Sequence, residues 1–311
     1  MSAMRATRAG LAFGAAASLL LANRAAAWRE ERPARAGVGR LVPTAAGDLH
    51  VLEEGDPAAP PAVLLHGFAG SMHWFDRLAP LLGAEHRLVR IDLLGHGGSA
   101  KPRGDYSIER HAEAVAGALG EIGVASALFL GHSFGGAVSI AVAERSPALV
   151  ERLVVLDEGP DNSYGDLSLI TRLGFMPVVG ELVHRVSFDA AIRDGYGDAF
   201  GEDFDLSGEL GDQVVRDFRA MTFPSYKCSW DAEERYLSAT QLHERVRQLG
   251  LPALVVFGEQ DRFFDAESSA AAFRTVPGVR VEVLPGVGHS PNVERPDELA
   301  RLVREHVAAP A

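Results

Sequence analysis

The run Ala127-Leu128-Phe129-Leu130-Gly131-His132-Ser133-Phe134-Gly135-Gly136 decides how the chain is read. Its first four residues are continuously apolar and bounded by glycine, as befits a short strand buried on both faces. Glycines two places before and two places after Ser133 allow a tight passage into a helix opening at Phe134. Such a turn lifts the serine hydroxyl out of the backbone and presents it to a substrate. In a chain with 33 glycines, G-x-S-x-G alone means little. The strand before it and the helix after it make it a nucleophile elbow.

The same alternation of short β-rich runs and helical stretches extends outward in both directions from Arg40 onward. Ala62–His66, Leu88–Ile91, Leu153–Leu156, Ala253–Phe257 and Val279–Leu284 read as further strands. Leu41–Thr44 and Leu49–Glu53 flank Ala46-Gly47-Asp48 as an opening hairpin. Helices are expected near 75–82, 108–122, 135–145, 267–275 and 297–307. The pattern predicts an α/β fold, a mostly parallel eight-stranded sheet with helices on both faces. One connection breaks the rhythm: 92 residues lie between Asp157 and Gly250, against roughly two to six in an ordinary αβ loop. Residues 158–250 are therefore expected to form a helical cap on a core made of 40–157 and 251–311. Phe175, Phe188, Phe218, Phe223 and Trp230 give that cap apolar surface to bury over the carboxyl edge of the sheet, where open α/β sheets bind ligands.

Composition narrows the partners. An apolar fraction of 47% with 23% charged residues is ordinary for a globular chain and excludes bulk disorder and a polytopic membrane protein. The net charge is −12; residues 1–40 carry seven arginines against Glu30 and Glu31, so the body is more acidic still. An acidic body repels phosphate backbones, so no nucleic-acid partner is expected. Cys228 is the one cysteine, which rules out an intrachain disulfide. Residues 1–39 read as a leader: Arg5 and Arg8 precede the uncharged run Ala9–Ala22 and the triplet Ala25-Ala26-Ala27. That pattern fits a signal peptide cleaved after Ala27, an uncleaved membrane anchor reaching Trp28, or a disordered leader. Export or membrane association through residues 1–28 is favoured over a cytoplasmic place, and the oligomeric state is left open.

A serine hydroxyl needs an imidazole to take its proton. Of eleven histidines, His289 is favoured because Gly286-Val287-Gly288-His289-Ser290-Pro291 is a glycine-flanked loop just past the last strand. His66 ends a strand, His96 lies in a turn, and the elbow turns His132 away from Ser133. His111, His184, His243 and His306 fall on predicted helices, where solvated faces are expected. The base needs a carboxylate behind it. Asp261, after the next-to-last strand, is the first choice, Asp157 the alternative acid and Glu259 the third. Backbone N–H groups of Phe134, next after the nucleophile, and of Phe68, in His66-Gly67-Phe68-Ala69-Gly70-Ser71, are candidates for an oxyanion hole. Asp92 and His96 are expected to knit the turn before Ser99, and His66, Gly67, Trp74, His132 and Trp230 to border the pocket.

From about residue 40 to 308 the chain resembles the α/β-hydrolase superfamily, in the subgroup of epoxide hydrolases, C–C bond hydrolases, cofactor-free haloperoxidases and monoacylglycerol lipases. The resemblance rests on the His66-Gly67-Phe68 loop, Asp92-Leu93-Leu94-Gly95-His96-Gly97-Gly98-Ser99, the elbow, Asp261 and His289. It implies a triad of Ser133, Asp261 and His289, an oxyanion hole at Phe68 and Phe134, and a lid between the sixth and seventh strands. Epoxide hydrolases and haloalkane dehalogenases carry Asp where Ser133 stands, which argues against both, and the loop at His66 is not of the HGGG type. The expected activity is hydrolysis of a small apolar carboxylic ester through an acyl-enzyme, with no metal or organic cofactor. The rivals are C–C bond hydrolysis of a ring-cleavage product, lactone hydrolysis or perhydrolysis by the same triad, and ligand binding or signalling with little turnover. A C–C hydrolase would hold its substrate's carboxylate with a cation such as Arg172, Arg185, Arg193 or Lys227.

Overall fold

The computed structural model describes residues 38–165, 175–176 and 179–310. The leader up to residue 37 and Arg172 lie outside the described residues. Eight strands form one sheet: β1 (Arg40–Val42), β2 (Leu49–Glu54), β3 (Pro61–Leu65), β4 (Arg87–Asp92), β5 (Ala127–His132), β6 (Val150–Leu156), β7 (Ala253–Gly258) and β8 (Val279–Leu284). Their order is β1-β2-β4-β3-β5-β6-β7-β8. β1 and β2 pair antiparallel, as do β2 and β4, and every pairing from β4 through β8 is parallel. The expected hairpin closes through Thr44, whose Oγ1 accepts from Ala46 N–H at 3.1 Å.

The helices are α1 (Ala79–Leu82), α2 (Ile108–Glu121), α3 (Phe134–Arg145), α4 (Val179–Val186), α5 (Asp189–Tyr196), α6 (Gly208–Ala220), α7 (Phe223–Ala239), α8 (Leu242–Leu249), α9 (Ala266–Arg274), α10 (Pro291–Glu294) and α11 (Pro296–Ala308). Five of them, α4 to α8, lie between β6 and β7. Successive side chains of a strand point to opposite faces, and this sorts the core into two layers. Val63, Ile91, Phe129, Val155 and Val255 pack with α2 and α3 on one face, while Leu64, Leu128, Leu130, Val154 and Val256 pack with α1 and α11 on the other. Each fully buried side chain of this size contributes about 1.5–3 kcal/mol. α3 runs apolar almost all round, from Phe134 through Ala143, because it is covered on every side.

The expected helix at 75–82 is instead two short pieces, a 3₁₀ turn at Met72–Phe75 and α1. Pro80 explains the break: without an N–H it is accommodated in the first turn of α1 but would interrupt a longer helix. Ser71 caps the 3₁₀ turn by accepting from His73 N–H at 3.3 Å. Among the described residues no helix is long and apolar enough to cross a membrane.

Candidate active site

Ser133 sits between β5 and α3 with φ 49° and ψ −124°, outside the regions a side-chain-bearing residue adopts freely. Strain of this kind costs about 1–3 kcal/mol and persists only where the surroundings enforce it. Here Ser133 N–H donates to Leu156 O at 2.8 Å, and Gly136 N–H closes the turn onto Ser133 O at 2.5 Å. The flanking glycines act by absence of bulk. A Cβ on Gly135 would overlap the Leu65 carbonyl, and one on Gly131 would overlap the Gly135 carbonyl. Positive φ belongs to the serine, not to these two glycines.

His289 Nδ1 lies 2.8 Å from Asp261 Oδ2. Asp261 is preset for this contact, because its other oxygen accepts from Phe263 N–H at 2.7 Å and Phe264 N–H at 3.3 Å. The histidine loop is anchored by Glu294, which accepts from Gly288 N–H at 3.0 Å and Gly201 N–H at 2.9 Å. His132, beneath it, meets the His289 carbonyl through Nε2 at 2.6 Å. Burial, then the neighbouring His289, pushes the His132 pKa down to about 3, so this ring stays neutral.

Asp157 follows β6 with φ 45°, and its Oδ1 accepts from Gly258 N–H at 2.7 Å. Burial first and the Asp261 charge second drive its pKa well above the usual carboxylate range. It is thus a neutral carboxylic acid beside Asp261, and the histidine bonds to Asp261. Glu259 is turned elsewhere, accepting from Gly286 N–H at 3.0 Å. Asp157, Asp261 and His289 are also the described residues whose ligand atoms cluster within 4.8 Å, as a cation site would require. The hydrogen bonds just described already engage His289 Nδ1 and both oxygens of Asp261, so the donor set fits an acid–base pair better than a metal centre.

The N–H groups of Phe68 and Phe134 meet no acceptor among the described residues. Phe134 is the first residue of α3, where N–H groups lack partners within the helix. Ser133, His289, Gly67, Phe68, Trp74 and His132 border one cleft of about 840 Å³, closed on its other side by Phe175, Tyr226, Trp230 and Glu233. Trp74 ties core to helices, since its Nε1–H donates to Asp217 Oδ2 on α6 at 3.0 Å.

Several expectations need correction. His66 does not border the cleft: it is fully buried, its Nε2 accepts from Leu93 N–H at 3.0 Å, and burial lowers its pKa. His111, His184, His243 and His306 are buried rather than solvated, because each lies on the inward face of its helix. His111, for example, packs edge-on against Phe134 with ring centroids 5.0 Å apart. Asp92 is structural as expected. Burial would raise its pKa, but hydrogen bonds from His50, Gly98 N–H and Met72 N–H hold it at about 2. Of the four cations considered for a substrate carboxylate, the three among the described residues are engaged: Lys227 with Asp231 at 2.6 Å, Arg185 with Glu181 at 2.9 Å and Arg193 with Asp212 at 2.6 Å. Sequence reasoning missed Glu158, Asp217 and Glu233, buried carboxyl groups in or next to the cleft. Nothing local marks them, since helix-borne or strand-end acids are usually solvated.

Residues 62–302 match the model of the alpha/beta hydrolase family. Among curated proteins the chain is similar to the uncharacterized hydrolase YugF of Bacillus subtilis, 28% identical over 81% of this chain and 90% of that one. It is also 28% identical to Lipase 1 of Psychrobacter immobilis, over 82% of this chain and 80% of the lipase. Among solved structures, the enol-lactonase of Burkholderia xenovorans LB400 superposes with a TM-score of 0.74 at 22% identity, over 87% of this chain and 100% of the lactonase. At that identity the likeness speaks to the fold.

Proposed function

Because the chain belongs to the alpha/beta hydrolase family, we propose that it is a serine hydrolase that cleaves a carboxylic ester through an acyl-enzyme. Ser133 Oγ attacks the ester carbonyl while His289 Nε2 takes its proton. Asp261, bonded to Nδ1, keeps that nitrogen protonated and so leaves Nε2 free to accept, then stabilises the imidazolium. The N–H groups of Phe68 and Phe134 receive the oxyanion. His289 next protonates the departing alcohol, and water repeats the sequence on the acyl-enzyme, returning the proton to Ser133.

The observation that carries this reading is the His289–Asp261 hydrogen bond at 2.8 Å, opening on the cleft that Ser133 also borders. Phe175, Met176, Val183, Tyr226 and Trp230 make much of the cleft wall apolar and suit a hydrocarbon portion of the substrate. An ester is favoured over a ring-cleavage dienoate because Lys227, the Lys or Arg among the described residues of the cleft wall, already holds Asp231. The test is hydrolysis of p-nitrophenyl esters from acetate to palmitate by the chain and by Ser133→Ala. Turnover with a chain-length optimum that vanishes in the variant is expected; equal turnover in the variant contradicts the mechanism.

A further inference from the structure

Two carboxyl groups, one beside Ser133 and one on the cleft that Ser133 borders, have no part in that mechanism. Glu158 follows Asp157 at the end of β6 and is fully buried. The Ser133 hydroxyl stands beside its carboxyl group, yet neither Glu158 oxygen completes a well-formed hydrogen bond. Glu233 comes from α7, borders the cleft, is 8% exposed, and leaves Oε1 without a partner. A buried, unpartnered oxygen forfeits the hydrogen bonds it had in water, a loss that a ligand's donor removes. Burial raises both groups, Glu158 well above its usual range and Glu233 to about 8. Both therefore hold their protons at neutral pH when no cation faces them.

The rest of the cleft identifies the donor. Trp230 stacks on Phe175 at 4.4 Å between centroids, and Phe68 meets Tyr226 at 4.8 Å, so π-faces and edges crowd the same wall as Glu233. Glu234 borders the cleft from α7; Asp231 beside it holds Lys227, Asp198 in the turn after α5 holds Arg262 at 3.1 Å, and Asp157 and Asp261 face Glu158 from the strand ends. Lys227 is neutralised by Asp231, and burial holds the cleft-lining His184 of α4 at about 4, below protonation at neutral pH. Acidic oxygens beside aromatic rings attract a cation, and an ammonium adds N–H donors for both carboxyl groups. A carboxylate would meet the like charge of Asp261 beside Glu158, and a hydroxyl would gain nothing from the rings.

We propose that Glu158 and Glu233, with the aromatic wall of the cleft, form a subsite for a positively charged alkylammonium group carried by the substrate close to the ester that Ser133 attacks. This deepens the esterase reading and rests on it. When the ammonium binds, the pair gives up one proton to solvent and becomes a carboxylate bonded to the cation.

Binding without chemistry tests the subsite separately from the esterase reading. Hexylammonium, hexanol and hexanoate are titrated calorimetrically into the full chain at neutral pH, in two buffers of different ionisation enthalpy. Hexylammonium is expected to bind at least about tenfold tighter than either analogue, with heat that depends on the buffer because a proton is released. In Glu233→Gln, close in shape but unable to ionise, the advantage and the proton release are expected to disappear. Equal binding of the three, or tightest binding of hexanol or hexanoate, overturns the proposal. So does an ammonium preference that survives in both Glu233→Gln and Glu158→Gln. The ranking in the unaltered chain decides the matter even if a variant fails to fold, and ester turnover is scored independently of it.

Discussion

Asp261→Asn separates the two acids that stand at the strand ends behind His289. In the native chain Asp261 accepts from His289 Nδ1 at 2.8 Å while its second oxygen accepts from two backbone N–H groups. An asparagine keeps its carbonyl oxygen on those N–H groups, which turns its NH₂ toward Nδ1. The imidazole must then carry its proton on Nε2, where it can no longer take the serine proton. A wrong tautomer of this kind costs about 10⁴ in kcat, or roughly 5.5 kcal/mol at the transition state. Asp157→Asn replaces a group that is already neutral and can still accept from Gly258 N–H, so its loss is expected to stay below about tenfold. Both variants are assayed on p-nitrophenyl butyrate from pH 6 to 9, with circular dichroism to verify folding. If Asp261→Asn stayed within tenfold of the native chain while Asp157→Asn lost three orders of magnitude, Asp157 would be the working acid and the assignment would be refuted.

Gly135→Ala forces a methyl onto the Leu65 and His66 carbonyls, so melting temperature and esterase activity should fall together; a variant with native values for both would show that α3 can shift without disturbing the elbow. Asp157, Glu158, Asp217 (about 7) and Glu233 (about 8) all have pKa values raised by burial. Above about pH 4 the unfolded chain ionises these groups while the folded chain keeps their protons, so stability should fall as the pH rises through 7 and 8. Asp92, held at about 2, acts oppositely, its contribution lost only as the pH drops toward 2. Calorimetric melting should therefore peak in the mildly acidic range, and a melting temperature climbing from pH 5 to 9 would count against these assignments. Trp74→Phe leaves buried Asp217 without its indole donor and should cost about 1–3 kcal/mol in denaturant unfolding, against near zero if a water takes the place of Nε1.

What could be read from the sequence followed the physics of two-sided burial. β5, β7 and β8 are runs with no polar interruption or with clean alternation, and β8 falls where Val279–Leu284 placed it. The elbow was legible because glycine spacing, strand and helix coincide within ten residues. Met72–Phe75 was not, since Ser71 capping and Pro80 act against the apolar pattern that suggested one helix. His66 was misplaced because a strand-end histidine beside Gly67 could as readily enter the pocket as hold Leu93 from below. Glu158 and Glu233 were invisible for a different reason: their burial arises only when the end of β6 meets α7, a tertiary event without local signature. The same holds for Asp217, whose indole partner is 143 positions away.

The central claim, a covalent acyl intermediate on Ser133, is tested most directly by acid-quenching the chain during turnover of p-nitrophenyl butyrate and mapping the butyryl group by peptide mass spectrometry. The account predicts one acylated peptide, the one containing Ser133, and no acylation or turnover in Ser133→Ala. Butyryl on another residue, or undiminished hydrolysis by Ser133→Ala, would contradict it.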